Sequence, residues 1–168
     1  EELIDVNFEA IEQMEKEIES TDKLIGRFEE LENKNKLTKD EMIRYMDVLS
    51  ELEDAKTDER IAELTTEQSK LLKESGLTNK EMEEFLKLND DVIEKAPDTA
   101  SAISEEGNAY AENLEALKEL NAEQREKLKL ETESELLEAL TEQKQAYEEL
   151  HQAQIEQEEA QKRLNQLQ

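Results

Sequence analysis

The hydrophobic positions follow a helical period from the first residues of the chain. The positions that share one stripe are Ile4, Ile11, Met14, Ile18, Thr21, Ile25 and Phe28. Their alternating spacing of three and four residues is typical of a two-stranded coiled-coil seam. The pattern predicts one helix over about residues 2 to 33, about 50 Å long at 1.5 Å per residue. Gly26 lies inside it, at a cost of about 1 kcal/mol relative to alanine.

Two threonine-led motifs predict where the next helices begin. Thr38-Lys39-Asp40-Glu41 and Thr78-Asn79-Lys80-Glu81 both match the capping box, in which threonine and glutamate satisfy each other's backbone amides. They lie 78 − 38 = 40 residues apart, and shared helix-start chemistry explains the match better than duplication. We expect helices at about residues 38–74 and 78–95, ended by Gly76 and Pro97. The apolar stripe shifts phase around Lys56 to Glu59, which we interpret as altered winding within one helix.

The last third of the chain has the pattern of a single long helix. Its leucines recur at spacings of three, four and seven, which predicts a helix of about 60 residues and about 90 Å. Towards its end the stripe becomes polar, because Gln154, Gln157 and Gln161 are in phase with Tyr147 and Leu150. We expect this stretch to pair weakly and fray unless a partner or a neighbouring segment covers it.

These lengths predict an all-α, elongated antiparallel coiled-coil stalk with a small helical head bundle. The expected parts are a first stalk helix at 1–35, a head at 36–110 and a long second stalk helix at 108–168. In that register Phe28 faces Leu120 to Leu128, and Ile4 lies near Ile155. Tyr45, Phe85 and Tyr110 are in phase with aliphatic neighbours and should fill the head core. A parallel homo-oligomeric coiled coil would use the same seam, so periodicity leaves both arrangements open.

Composition favours helices and disfavours several classes of partner. Charged residues make up 40% of the 168, aromatic residues 4%, and three glycines and one proline interrupt the chain. The net charge of 21 − 47 = −26 repels phosphates and anionic membrane surfaces. We therefore expect no direct nucleic-acid binding and no membrane contact by this segment. The chain lacks cysteine and begins with Glu1, and we expect it to be a piece of a longer polypeptide.

The reactive side chains do not form a recognisable catalytic or metal motif. His151 is the single histidine, and Glu148 precedes it at the spacing of di-iron helix bundles, which require a second such pair. Asn89-Asp90-Asp91 lacks the glycine and terminal glutamate of a calcium loop, so we expect it on a solvated helix face. Carboxylate catalysis requires a dry pocket beside an ionised partner. The sequence therefore predicts no enzyme activity, no cofactor and no metal.

Several segments of the central region resemble one protein family. The matching segments are Lys73-Glu74-Ser75-Gly76-Leu77-Thr78-Asn79-Lys80-Glu81, Leu86-Lys87-Leu88-Asn89-Asp90-Asp91, Ala96-Pro97 and Glu106-Gly107-Asn108-Ala109-Tyr110-Ala111. They resemble tail tape measure proteins of phages and prophages of low-GC Gram-positive bacteria. The resemblance implies an extended helical protein of the virion tail, present in the host cytoplasm during assembly, whose length sets tail length. It also implies tail-tube and assembly proteins as partners. In-frame removal of residues 38 to 107 from the parent should then shorten tails.

Two other functions fit the same composition. A generic coiled-coil spacer or adaptor would share each of these features. An acidic DNA-mimic inhibitor would use the charge of −26 to occupy a basic cleft, and its complexes would weaken steeply with salt.

Overall fold

The computed structural model describes residues 8–167, apart from the side chain of residue 102, and most of these residues are helical. The elements in chain order are α1 (Phe8–Lys34), α2 (Lys39–Asp54), α3 (Asp58–Ser75), α4 (Asn79–Lys95), a 3-10 turn (Pro97–Thr99), β1 (Ala100–Ile103), β2 (Ala109–Ala111) and α5 (Glu115–Gln166). The all-α expectation is therefore broadly confirmed, with a small two-stranded sheet in addition. The coiled-coil stalk stays a prediction.

The described residues divide into two compact units. Glu17–Gln124 is the central unit, and residues 8–16 with 125–167 are the terminal unit. The central unit contains the end of α1, the start of α5 and all the elements between them. The expected head at 36–110 lies inside this larger unit, because parts of both long helices contribute to its core.

The two predicted capping boxes are present and start α2 and α4. The hydroxyl of Thr38 accepts from the N–H of Glu41 at 3.2 Å, and Oε1 of Glu41 accepts from the N–H of Thr38 at 3.1 Å. Thr78 and Glu81 form the same reciprocal pair. Gly76 ends α3 with a φ of +73°, in the left-handed region that favours glycine.

The prediction of a single helix over residues 38–74 is wrong, because α2 ends at Asp54 and α3 begins at Asp58. Ala55 and Thr57 are extended, and the Thr57 hydroxyl caps α3 by accepting from the N–H of Arg60 at 3.2 Å. The helices then pack antiparallel. Nε of Arg44 in α2 lies 2.7 Å from Oε1 of Glu67 in α3, while Arg60 and Glu51 pair nearer the turn. The phase shift of the apolar stripe thus marks a helix end.

The long final helix begins at Glu115, so the expected start at 108 is also wrong. The preceding residues form the β1–β2 hairpin, in which Ala100 pairs with Ala111 in an antiparallel register. Gly107 turns the chain with a φ of +86°, and its N–H donates to the carbonyl of Ser104 at 2.9 Å. Asn113 then starts α5 by accepting from the N–H of Glu115.

Three aromatic rings from different elements meet in the core of the central unit. The centroid of Phe28 in α1 lies 5.1 Å from that of Phe85 in α4, and both lie within 6.4 Å of the Tyr110 ring in β2. Tyr45, Phe85 and Tyr110 are buried, which confirms their predicted core role. The expected position of Phe28 against Leu120 to Leu128 is wrong, because its ring packs against these aromatics and the adjacent Glu29 pairs with Lys118, before that stretch.

Within the central unit, the end of α1 and the start of α5 run antiparallel. Asp22 accepts from the side-chain amide of Asn121 at 2.7 Å, and Glu29 pairs with Lys118 at 2.6 Å. As residue numbers rise along α1, those of the partners on α5 fall. The parts of α1 and α5 that belong to the central unit are therefore antiparallel, as predicted for the two long helices. The predicted contact of Ile4 with Ile155 lies outside the described residues.

Candidate functional site

The histidine and glutamate of the incomplete di-iron motif are both exposed on α5. The ring of His151 lies parallel to that of Tyr147, with centroids 6.4 Å apart, and Glu148 is exposed beside them. Within residues 8–167, no group of three or more histidine, aspartate or glutamate side chains is arranged to hold a metal ion. This pair has no assembled coordination sphere around it.

Asn89 is buried, so the expectation of a solvated face is wrong for this residue. Its side chain is 1% exposed. Its Nδ2 donates to the carbonyl of Ala109 at 2.9 Å, and its Oδ1 accepts from the N–H of Ala111 at 2.7 Å. Asp90 beside it is exposed, and partial desolvation together with Asp91 raises the pKa of the Asp90 carboxyl. Asn89 therefore serves as a backbone anchor, and it is not available as a metal ligand.

A second polar cluster ties the turn of the hairpin to α2. Oδ1 of Asp47 accepts from the Ser104 hydroxyl at 2.6 Å and from the Asn108 amide at 2.9 Å. The same amide donates to Ser50 at 3.0 Å. These groups satisfy one another, and their geometry is that of a structural clamp.

A small cleft lies among α1, α4 and α5 in the central unit. Its volume is about 160 Å³, and its lining includes Ile18, Thr21, Lys95 and Leu117. Nζ of Lys95 donates to the Thr21 hydroxyl at 3.4 Å. Pockets for small organic ligands usually exceed roughly 300 Å³, and a water molecule occupies about 30 Å³. The cleft therefore suits a few waters better than a substrate.

Within residues 8–167, the second half of α5 presents a long exposed stripe, which we call the distal seam. Its residues are Leu136, Leu140, Gln143, Tyr147, Leu150, Gln154, Gln157, Gln161 and Leu164. They follow the three-and-four spacing of the a and d positions of a heptad repeat. All nine are exposed, including Tyr147 at 70% and Leu150 at 59%. Five of the nine residues are apolar, and exposed apolar patches often mark interaction sites.

Alanines border the distal seam on one side. Ala139, Ala146, Ala153 and Ala160 recur every seven residues at the g position of the same heptads. The leucine and glutamine spacing predicts the seam itself, but it does not include this alanine series. The alanine series becomes apparent when small residues, and not only large ones, are examined for a period of seven. Together the seam and its alanine border form an uncharged face on a highly charged helix.

Comparison with known proteins does not assign the chain. No protein family, no curated protein and no solved structure matches it. None of the described helices combines the length and the apolar character that crossing a membrane requires. The interpretation of function therefore depends on the residues and their geometry.

Proposed function

We propose that this chain is a structural segment of a phage tail tape measure protein, which sets tail length and organises assembly of the tail tube. Its partners are then tail-tube subunits and assembly proteins. It works in the virion tail and, during assembly, in the host cytoplasm. Its contribution is contour length and surface, with no chemical step.

The observation that carries the proposal is α5. It comprises 52 residues from Glu115 to Gln166 without a break, about 78 Å at 1.5 Å per residue. Most of its side chains beyond Gln124 are exposed. A helix converts residue number into distance at a constant rate, which is the physical requirement for a molecular ruler.

The segments that resemble tape measure proteins lie in a different part of the chain, and they support the same proposal. Lys73 to Glu81 forms the end of α3, the left-handed Gly76 and the capping box of α4. Glu106 to Ala111 forms the hairpin turn and β2. These residues specify the fold of the central unit, so the resemblance concerns a folded segment rather than isolated helix-rich strings.

The test changes the length of α5 by whole heptads in the parent phage. Deleting residues 136–163 removes 28 residues, about 42 Å of helix, and duplicating them adds the same length. We expect tails shortened and lengthened accordingly on electron micrographs. A matched control replaces this stretch with an unrelated 28-residue helix that keeps the distal seam residues, and its tails should have the parental length.

Tails of parental length in both the deletion and the duplication would contradict the proposal. That result would favour the generic spacer, which requires no relation between residue number and tail length. Shortening without lengthening would contradict it as well, because a ruler acts in both directions.

A further inference from the structure

The distal seam has the residue pattern of a helix that pairs with its own copy. We propose that residues 136–166 of α5 pair in parallel and in register with the same residues of a second copy of this chain. The proposal concerns association through one face, and it does not depend on the tape measure function.

The distribution of charge along α5 supports a second copy as the partner. Residues 136–166 include ten charged side chains, and none of them lies in the distal seam or its alanine border. In a parallel pair each alanine at g faces the e position of the other copy, where Lys144, His151, Glu158 and Asn165 lie. The flanks therefore contain no pair of like charges. This matters for a chain of net charge −26, whose copies repel each other elsewhere.

The glutamines of the distal seam favour the same partner. In a parallel, in-register pair each seam glutamine meets the glutamine of the same number, and one amide donates to the other. Each leucine likewise meets its own counterpart. A purely apolar groove on another protein would leave these amides buried without partners, which is unfavourable for each amide.

An antiparallel pair matches the distal seam less well. If Leu140 meets Leu164 of the other copy, then Leu150 lies opposite Gln154 and Tyr147 opposite Gln157. Apolar and amide side chains then share layers, and both the leucine and the amide lose their preferred surroundings. The order of residues therefore favours the parallel arrangement.

The first test measures the mass of the full chain by sedimentation equilibrium across micromolar to millimolar concentrations. We expect a mass of at least two chains that falls to one chain in Leu150→Glu. The matched control Gln152→Glu adds the same charge at the f position, away from the seam, and should leave the mass unchanged. Both residues are exposed on α5. Circular dichroism should show the helix content of the parent in Gln152→Glu and a loss no larger than fraying of residues 136–166 in Leu150→Glu.

The second test determines orientation by cross-linking, since the chain contains no cysteine. Gln143→Cys and Gln161→Cys are oxidised separately and as a mixture. Parallel, in-register pairing predicts that each variant forms disulfide-linked dimers with itself and that the mixture adds few mixed dimers. Cross-linking that appears only in the mixture would establish antiparallel pairing and overturn the proposal. A monomeric chain throughout, or equal loss of association in Leu150→Glu and Gln152→Glu, would overturn it too.

Discussion

The backbone N–H of Ala111 donates a hydrogen bond to Oδ1 of Asn89 at 2.7 Å, although the two residues lie 22 positions apart in the chain. Nδ2 of the same Asn89 side chain donates a hydrogen bond to the carbonyl of Ala109. One buried side chain on α4 thus occupies the place that a neighbouring strand would take beside β2. This contact joins the hairpin to the helical core of the central unit.

Replacing Asn89 should therefore destabilise the central unit strongly. Asn89→Ala leaves the N–H of Ala111 and the carbonyl of Ala109 without their partner, and Ala111 is fully buried. Each unsatisfied buried group costs about 1–3 kcal/mol, so we expect the free energy of unfolding to fall by about 2–4 kcal/mol. Urea denaturation followed by circular dichroism measures it. Lys87→Ala, an exposed change on the same helix, should alter stability by less than about 0.5 kcal/mol. Equal effects of the two changes would contradict the anchoring role.

Features set by neighbouring residues are the part of this fold that the sequence predicts well. The capping boxes at Thr38 and Thr78 and the left-handed Gly76 each depend on a few adjacent residues. The start of α3 is different, because Thr57 caps this helix outside a capping box. The residue three positions after Thr57 is Arg60, not glutamate. The apolar stripe resumes beyond the break, so the pattern resembles a continuous helix.

The hairpin and the role of Asn89 depend on contacts between distant residues, which local patterns do not contain. β1 and β2 are short and rich in alanine and serine, and neither has the alternating apolar pattern of a half-buried strand. They are held by Asn89 and Asp47 from separate helices. A usable signal was nevertheless present, since Asn89 is in phase with the buried Phe85 and Val92. A polar residue at a core position indicates a specific hydrogen-bonding partner.

The same substitution should have opposite effects at two glycines. Gly26 lies in the middle of α1 with open space where a Cβ would be, so Gly26→Ala should stabilise the chain by about 1 kcal/mol. Gly107 has a φ of +86°, where alanine is strained, and Gly107→Ala should destabilise it by about 1–2 kcal/mol. Thermal and urea unfolding of the two variants measure the difference. A stabilising effect at Gly107 would show that the turn does not need the left-handed conformation.

The ion pair between Lys34 and Glu81 should make part of the stability depend on pH. Nζ of Lys34 lies 2.6 Å from Oε2 of Glu81. That contact, together with the N–H of Thr78, lowers the pKa of Glu81 from 4.5 to about 2. Because the folded-state pKa is the lower one, the contribution is complete above the unfolded-state pKa and is lost as pH falls towards 2.

The variant Glu81→Gln separates this charge effect from helix capping, because glutamine can also complete a capping box. We expect its urea midpoint to lie below that of the parent at pH 7 and to approach it as pH falls towards 2. Glu83→Gln, an exposed change on the same helix, provides the matched loss of one charge and should show no such convergence. A difference between Glu81→Gln and the parent that is independent of pH would contradict the role of the ion pair.

Threonine hydroxyls should matter at helix starts and not within helices. Thr78 accepts from the N–H of Glu81 at 3.1 Å, and removing this bond leaves an amide of the first turn unsatisfied. Thr78→Ala should therefore lower the free energy of unfolding by about 1 kcal/mol. Thr66 lies inside α3, where its hydroxyl donates to the carbonyl of Ala62, a bond that the helix does not need. Thr66→Ala, which raises helix propensity at an exposed site, should leave stability unchanged or slightly higher. Hydrogen exchange at the first amides of α4 distinguishes local fraying from global loss, and equal costs for the two substitutions would show that the cap at Thr78 contributes nothing specific.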